Sequence, residues 1–221
     1  MGSSDTLLLV DDDVELDPDA IVEGLAAWET TGADAVMGGL RPPAAAEPWL
    51  EWTYRDGTMT ANNGYARAGW LPASSFGVAL VILSRQAYDL AGGIPELDGW
   101  GPEDSLFGAR AARRAEAFRV WLEPRFSGIH HFHPTWPEWL DRRERAGAQI
   151  AALRTEIPQD EHRDLVDAFR LGGEDLRSRM KLFLGGTAWR PQTPPRARRV
   201  ARAAAAAAEA RGFLGASTPA A

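Results

Sequence analysis

The sequence predicts an α/β fold followed by a C-terminal helical extension. Two observations predict it. Short apolar runs alternate with segments of helical periodicity as far as residue 135, and beyond that point the periodicity is helical. We expect an α/β domain over residues 5–135, a helical extension over 136–190, and a tail over 191–221, rich in arginine, alanine and proline and open to disorder.

Composition limits the chemistry available to the chain. Its 221 residues, 45% hydrophobic and 25% charged, are typical of a folded globular protein. The absence of cysteine excludes disulfides, thiolate metal sites and a cysteine nucleophile, so any metal must be held by carboxylates and imidazoles. It also favours a cytoplasmic location. A net charge of −7 argues against a general nucleic-acid binder.

The charge is uneven, because the C-terminal segment is basic. From residue 190 onward a single acid, Glu209, stands among the arginines Arg190, Arg196, Arg198, Arg199, Arg202 and Arg211. Such a tail is either solvated, the interpretation we favour, or in peripheral contact with the anionic inner face of a cell membrane. No stretch approaches the roughly 20 apolar residues that span a bilayer.

Individual elements follow from local patterns. Leu7–Val10 is wholly apolar, as expected of a strand buried on both faces in a parallel sheet. Asp17 and Pro18 predict the N-cap and first turn of a helix that Gly32 ends. Residues 41–75 predict a long irregular loop. Further runs predict strands at 35–37, 78–83, 118–122 and 126–130. They also predict a short helix at 85–90 that Gly92 and Gly93 end, and helices at 102–115 and from 137 onward.

Three consecutive acids, Asp11, Asp12 and Asp13, directly follow the first apolar run. Ligands of open α/β sheets bind where strands end, and Asp11 and Asp13 share a strand parity, so both carboxylates could face one ligand. Hard oxygen ligands of this kind suit Mg²⁺ or Mn²⁺ bound to phosphates. The same acids could instead serve only as caps of the following helix, and the run by itself leaves both interpretations open.

Two other interpretations of the acidic run explain less of the sequence. A calcium-binding EF-hand loop would need glycine and glutamate at the positions that Leu16 and Val22 occupy. A receiver domain of two-component signalling also opens with an apolar strand and paired aspartates. It needs a further aspartate after the strand that contains Val36, and later a lysine. That strand ends without an aspartate, and the chain's only lysine is Lys181.

A second acidic pair lies in the segment Gly99–Asp104. Pro102 suits the first position of a helix, which puts Glu103 and Asp104 in the first turn, where the helix dipole favours ionised carboxylates. An aspartate so placed can accept a proton from a hydroxyl nucleophile. Alternatively, the two acids have no role beyond the first turn of the helix, where acidic residues are common. The glycines around Trp100 make this alternative less favoured, because they let a ligand approach the backbone.

Histidines cluster at the end of the last predicted strand. Three of the four in the chain, His130, His131 and His133, fall within four residues. A lone histidine is usually structural, whereas a cluster of this kind favours contact with a metal or a phosphate. Tetrahedral zinc would need a closed set of soft ligands, which the surrounding sequence does not offer.

Taken in order, these elements resemble the family 2 glycosyltransferases of the GT-A fold, a Rossmann-like mixed sheet flanked by helices. Asp11 and Asp13 match that family's Asp-x-Asp, and Gly99–Asp104 matches its Gly-Trp-Gly-x-Glu-Asp segment. His130 follows Pro124 at the spacing of the family's metal-binding histidine. The resemblance extends over roughly residues 5–140.

The resemblance implies an inverting, hexosyltransferase-type reaction, in which a sugar passes from a nucleotide-sugar donor to a hydroxyl of a carbohydrate or lipid-linked acceptor. Synthesis of cell-envelope polysaccharide or glycoconjugate is the implied role. Mn²⁺ or Mg²⁺ would be held by Asp11, Asp13 and His130, with Asp12 completing the run that binds the cation and the diphosphate. The implied site depends on these acids and the histidine meeting around one cation.

The same resemblance implies roles for the second acidic pair. Asp104 would deprotonate the acceptor hydroxyl, and Glu103 would help to hold the acceptor. Aromatic and polar residues would line the acceptor site: Trp70, Trp100, Gly101, His131 and His133. Core packing is an equally good expectation for any single tryptophan among the candidates, which also include Trp49 and Trp52.

The sequence departs from the family in one respect: it begins at the strand before the metal site, without the N-terminal half that binds the nucleotide. We therefore expect a fragment, a misassigned start, a partner chain or preceding segment that completes the sheet, or a degenerate relative. The chain by itself would then be inactive, and Leu7–Val10 would form an exposed apolar edge. The alternative function is a non-catalytic carbohydrate-binding remnant of a glycosyltransferase.

Overall fold

The computed structural model describes residues 5–55, 59–97, 101–114, 118–171 and 194–217. The chain divides into two compact units. The first comprises Met1–Pro95 and Phe107–His133, and the second comprises Glu96–Leu106 and Pro134–Ala221. The division after His133 lies beside the expected boundary at residue 135, which stays a prediction. The extension and the tail, expected as separate parts, belong to one unit, which also includes Glu96–Leu106.

The first unit is built on a mixed sheet, so the predicted α/β class with a mixed sheet is confirmed. The strands lie in the order β1-β5-β3-β6-β2, and β4 pairs with β6. The β3–β6 pair is parallel, and the other pairs are antiparallel. The strands are β1 (Thr6–Val10), β2 (Val14–Leu16), β3 (Ala35–Arg41), β4 (Gly69–Leu71), β5 (Leu80–Ser84) and β6 (Val120–His130).

Strand β1 forms where it was expected, but its expected neighbours were wrong. It lies at one end of the strand order and pairs antiparallel with β5. Leu8 and Val10 remain 42% and 37% exposed. An apolar run favours a strand, but its side chains carry no information about the direction of the partner. The exposed apolar edge that the sequence suggested is therefore present in the described part of the first unit.

The helices of the described chain are α1 (Ala20–Thr31), α2 (Pro48–Arg55), α3 (Arg85–Ala91), α4 (Glu103–Arg114), α5 (Trp136–Ala152), α6 (Gln159–Ala168) and α7 (Pro194–Ser217). Left-handed Gly32 and Gly92 close α1 and α3, as their positions predicted. Helix α4 begins with Glu103 and Asp104 in its first turn, as expected. In the first unit, Phe107 of α4 packs with Met37 and Val81 of the sheet.

The predicted N-cap of α1 was wrong. The helix starts at Ala20, and the residue before it, Asp19, has φ 59° and makes no side-chain cap bond. Asp17 instead accepts two hydrogen bonds from the Arg41 guanidinium, each 2.9 Å, and one from the Ser127 hydroxyl. A charge-assisted pair outweighs a single capping bond, so the tertiary contact determines where this carboxylate points.

The region 41–75, expected to be irregular, contains α2 and β4. The two strand runs expected after residue 118 form one strand, β6, whose register against β3 shifts between Gly38 and Gly39. A Cβ atom at Gly38 would lie 2.5 Å from the carbonyl oxygen of Phe126, so only glycine fits beside this bulge. The shift lets β6 continue past the bulge and pair with β2.

The second unit contains α5, α6 and α7. Thr135 and Glu138 form a capping box at the start of α5, and Pro137 occupies its first turn. Helix α7 packs closely against α5: a Cβ atom at Gly147 would lie 2.0 Å from the carbonyl oxygen of Glu209. Residues 194–217, within the tail that the sequence left open to disorder, form a helix that packs against α5. Glycine and alanine let the two helix backbones approach each other closely. The helix propensities of single residues do not predict such packing between helices.

Within the described chain, no helix combines the length and the apolar character that crossing a membrane requires.

Candidate metal centre

The turn between β1 and β2 brings the first acids to the end of β6. The Asp11 amide donates to the Ala79 carbonyl at 3.0 Å, and the Val14 amide donates to the Asp11 carbonyl at 3.1 Å. Val14 pairs with His130 in the β2–β6 register. The pairing of two strand ends, rather than a shared strand parity, therefore places the acids beside the histidine.

Asp11, Asp13 and His130 form a group of ligand atoms that all lie within 4.8 Å of one another. Nε2 of His130 is 3.2 Å from Oδ1 of Asp13. The amide of His131 donates to the carbonyl of Asp13 at 2.7 Å, which holds the turn against the end of β6. The structure thus brings together the three residues that the resemblance assigned to one cation.

The middle acid of the run, Asp12, is not in this group, and its side chain is exposed. It raises the pKa of Asp11 all the same. Desolvation raises that pKa most, and the negative charges of Asp13 and then Asp12 raise it further. A cation held between Asp11 and Asp13 would relieve this repulsion, because it favours the ionised form of both carboxylates.

His130 is held from two sides. The hydroxyl of Tyr54 lies 2.7 Å from Nδ1, while Nε2 faces Asp13. Burial lowers the pKa of His130 below its ordinary value, against the opposing attraction of Asp13. Burial also raises the pKa of Tyr54, with Asp13 adding to the effect, so the phenol stays protonated. The lowered pKa of His130 favours a neutral imidazole, the form that binds metals.

Two carboxylates and one imidazole fit Mn²⁺ or a similar divalent cation. At metal–ligand distances of about 2.1 Å, atoms on opposite sides of a cation lie about 4.2 Å apart. The ligand atoms all lie within 4.8 Å of one another, which is near that separation. Asp11 is exposed, which leaves room for water or phosphate oxygens at the remaining positions.

The other histidines of the cluster lie beside this centre and are directed elsewhere. Nε2 of His131 is 2.9 Å from Oε2 of Glu15, and both side chains are exposed. The rings of His131 and His133 meet edge to face, with centroids 6.3 Å apart. Neither belongs to the group of candidate ligands among the described residues. Their expected role in acceptor binding stays a prediction.

The second acidic pair belongs to the other unit. Oε2 of Glu103 accepts a hydrogen bond of 3.0 Å from the amide of Gly101, and Oδ1 of Asp104 is shielded from solvent. Both residues begin α4 within the segment Glu96–Leu106 of the second unit. Their assigned roles as catalytic residues stay predictions. Trp100, a candidate for acceptor binding, lies outside the described residues.

The candidate tryptophans Trp49 and Trp70 differ in their surroundings. Trp49 is buried in α2, as core packing predicts. Trp70 is 52% exposed and stacks edge to face on Trp121. The stretch of β3 that runs beside β6 from Trp121 to Ile129 spans roughly 16 Å at the usual strand rise. The structure therefore places Trp70 well away from the end of β6.

Sequence reasoning missed Tyr54, the one residue described in contact with Nδ1 of His130. The sequence offers little indication of its role, because Tyr54 falls in a segment interpreted as irregular. Interpreted as α2, that segment shows the helical spacing of Leu50 and Tyr54, both buried.

No known protein-family model matches the chain, and no curated protein matches its sequence. What the protein does must therefore be inferred from its residues and their geometry.

Proposed function

We propose that the chain is the metal-binding, catalytic part of an inverting glycosyltransferase of the GT-A type that uses a nucleotide-sugar donor. The observation that carries the proposal is the meeting of Asp11, Asp13 and His130. Two of these residues come from a motif after β1 and the third from the end of β6. The mixed sheet, with acids directly after a strand, supports the same proposal.

The proposed chemistry assigns each group one task. Asp11, Asp13 and His130 hold a divalent cation, which supplies positive charge to the diphosphate leaving group. The exposed side of Asp11 is where phosphate oxygens approach. Asp104 accepts the proton of the acceptor hydroxyl, and its place in the first turn of α4 favours the ionised form that a base requires.

Glu103 has a supporting task in this proposal. Its bond to the Gly101 amide ties the start of α4 to the glycine-containing segment before it. A carboxylate held in this way can accept a hydrogen bond from a second acceptor hydroxyl, which orients the first for attack. The acceptor is a saccharide or a lipid-linked saccharide in this proposal, and the reaction serves the synthesis of polysaccharide or glycoconjugate.

Metal-dependent binding of a nucleoside diphosphate tests the first part of the proposal. The melting temperature of the protein is measured with UDP or GDP, with Mn²⁺, and with both together. We expect stabilisation that requires Mn²⁺ and disappears in Asp13→Ala. Asp19→Asn is the matched control, because Asp19 is exposed and lies outside the ligand group, and should keep the effect. Stabilisation that survives in Asp13→Ala would rule out this cation site.

Turnover tests the second part. Release of nucleoside diphosphate is measured with Mn²⁺, a panel of nucleotide sugars and saccharide acceptors. Asp104→Asn should lower the rate by at least about 100-fold, the usual contribution of a general base, and leave Mn²⁺ binding unchanged. Metal and nucleotide binding without turnover on any donor would favour the non-catalytic remnant instead.

A further inference from the structure

The ring of His130 makes a described contact through each of its nitrogens. Nδ1 lies 2.7 Å from the hydroxyl of Tyr54, and Nε2 lies 3.2 Å from Oδ1 of Asp13. The Tyr54 side chain is fully buried, and its ring meets the imidazole edge to face, with centroids 6.0 Å apart and an interplanar angle of 83°. A buried hydroxyl on a helix is a rigid support, so the ring cannot turn without losing this bond.

The partners of the two nitrogens determine where the single proton of a neutral imidazole lies. An ionised carboxylate only accepts hydrogen bonds, so the 3.2 Å separation from Asp13 favours a proton on Nε2 of His130. Nδ1 is then the acceptor, and the Tyr54 hydroxyl is its donor. A cation bound at Nε2 requires the opposite arrangement, because Nε2 must offer its lone pair. The proton must then lie on Nδ1.

We propose that Tyr54 is the positioning residue of His130, an inference that rests on the metal centre of the proposed function. In its hydrogen bond with Nδ1, the Tyr54 hydroxyl changes from donor to acceptor when a cation binds. A phenol suits this task, since its oxygen can both donate and accept. In the metal-free protein Tyr54 donates to Nδ1. In the metal-bound protein it accepts the Nδ1 proton and orients Nε2 toward the cation, as outer partners of metal-binding histidines generally do.

The other described contacts near His130 involve the backbone or the face of the imidazole ring. The His131 amide fixes the end of β6 to Asp13. The ring of Phe132 lies nearly parallel to the imidazole, with centroids 5.6 Å apart. Neither contact distinguishes one tautomer from the other, because neither involves a ring nitrogen of His130. Loss of the Tyr54 hydroxyl should therefore weaken the preference for one tautomer while strand pairing is retained.

The experiment compares the full chain with Tyr54→Phe, which removes only the hydroxyl. The ¹⁵N resonances of His130 report its tautomer in histidine-labelled protein near pH 7.5, without metal and with Mg²⁺. We expect the wild type to carry the proton on Nε2 without metal and on Nδ1 with Mg²⁺. In Tyr54→Phe the metal-free preference should weaken, and the affinity for Mn²⁺ should fall about 10- to 100-fold. Tyr65→Phe, partly exposed, is the matched control and should change neither.

The outcomes separate this proposal from the proposed function. If the wild type binds Mn²⁺, and Tyr54→Phe binds it equally with an unchanged tautomer, the positioning role is overturned while the metal centre stands. If the wild type binds no Mn²⁺, both the proposed function and the exchange of donor and acceptor are overturned. A comparison of the metal-free tautomer in the wild type and in Tyr54→Phe then shows whether Tyr54 positions His130.

A second measurement covers the case in which Tyr54→Phe does not fold. 3-Fluorotyrosine is incorporated into a Tyr65→Phe, Tyr88→Phe background, which leaves Tyr54 as the only tyrosine of the three in the chain. The fluorinated phenol is a stronger donor and a weaker acceptor. The metal-free tautomer should therefore be retained and the affinity for Mn²⁺ should fall. An unchanged affinity would overturn the exchange of roles.

Discussion

His130 and Asp13 face each other across 3.2 Å, from Nε2 to Oδ1, although most of the first unit separates them in the sequence. The antiparallel pairing of β2 with β6 produces this contact, because it sets Val14, the neighbour of Asp13, opposite His130. The bulge beside Gly38 in turn lets β6 reach β2. The candidate metal centre therefore depends on strand register as much as on its ligands.

Replacing Asp11 should have opposite effects on the metal-free and metal-bound protein. Asp11→Asn removes a carboxylate whose pKa is raised by desolvation and by the charges of Asp13 and Asp12, so the metal-free melting temperature should rise. The affinity for Mn²⁺, measured by electron paramagnetic resonance, should fall at least about tenfold, since a ligand is lost. Asp19→Asn, an exposed carboxylate in the next turn, should leave that affinity unchanged.

The bulge should tolerate no side chain at Gly38. An alanine Cβ there would lie 2.4 Å from the Leu80 side chain and 2.5 Å from the Phe126 carbonyl oxygen. We expect Gly38→Ala to lower the free energy of unfolding by about 1–3 kcal/mol, as measured by urea denaturation. Gly69→Ala is the control, since nothing lies within 4 Å of a Cβ at this strand position. Equal stability of the two variants would contradict the close packing of β3 against β6.

The α5–α7 pair should depend on a buried charge. Glu209, whose side chain is 4% exposed, forms an ion pair with Arg143 of α5, whose side chain is 18% exposed. Glu209→Ala should destabilise the pair by about 3–5 kcal/mol, because it leaves the arginine charge in a buried site. Hydrogen exchange of the α5 amides reports this change.

The control for the buried pair is Asp141→Ala. Asp141 pairs with Arg145 at 2.9 Å, with side chains 66% and 62% exposed. We expect a loss of no more than about 1 kcal/mol, since solvent screens an exposed pair. If both variants weakened protection of α5 to the same extent, Glu209 would have no special role in the contact.

The start of α5 should respond to acid through Glu138. Its carboxylate accepts hydrogen bonds from the Thr135 amide and hydroxyl, which lower its pKa below the ordinary value of 4.5. A lowered pKa in the folded state contributes stability that is present above pH 4.5 and is lost as the pH falls through the folded value. In Thr135→Ala, the Glu138 carboxyl resonance should titrate at a higher pH than in the wild type, whereas Asp141→Ala should leave it unchanged.

Some elements were predictable because their ends depend on neighbouring residues. Gly32 and Gly92 end helices through left-handed backbone conformations that glycine adopts readily. Pro102 precedes α4 as expected, with Glu103 and Asp104 in the first turn. The position of β1 in the sheet and the use of Asp17 were not predictable. Both depend on partners from other segments, β5 in one case and Arg41 in the other.

By itself, the sequence determined the donor atoms and their places at strand and helix ends: carboxylates directly after β1, and a histidine at the end of β6. Those places follow from contacts between near neighbours, which act in any fold. The tertiary structure decided that Asp11, Asp13 and His130 meet, and that Tyr54 supports the imidazole. Strand register and helix packing set these distances, because each depends on the free energy of the whole core rather than on any one segment.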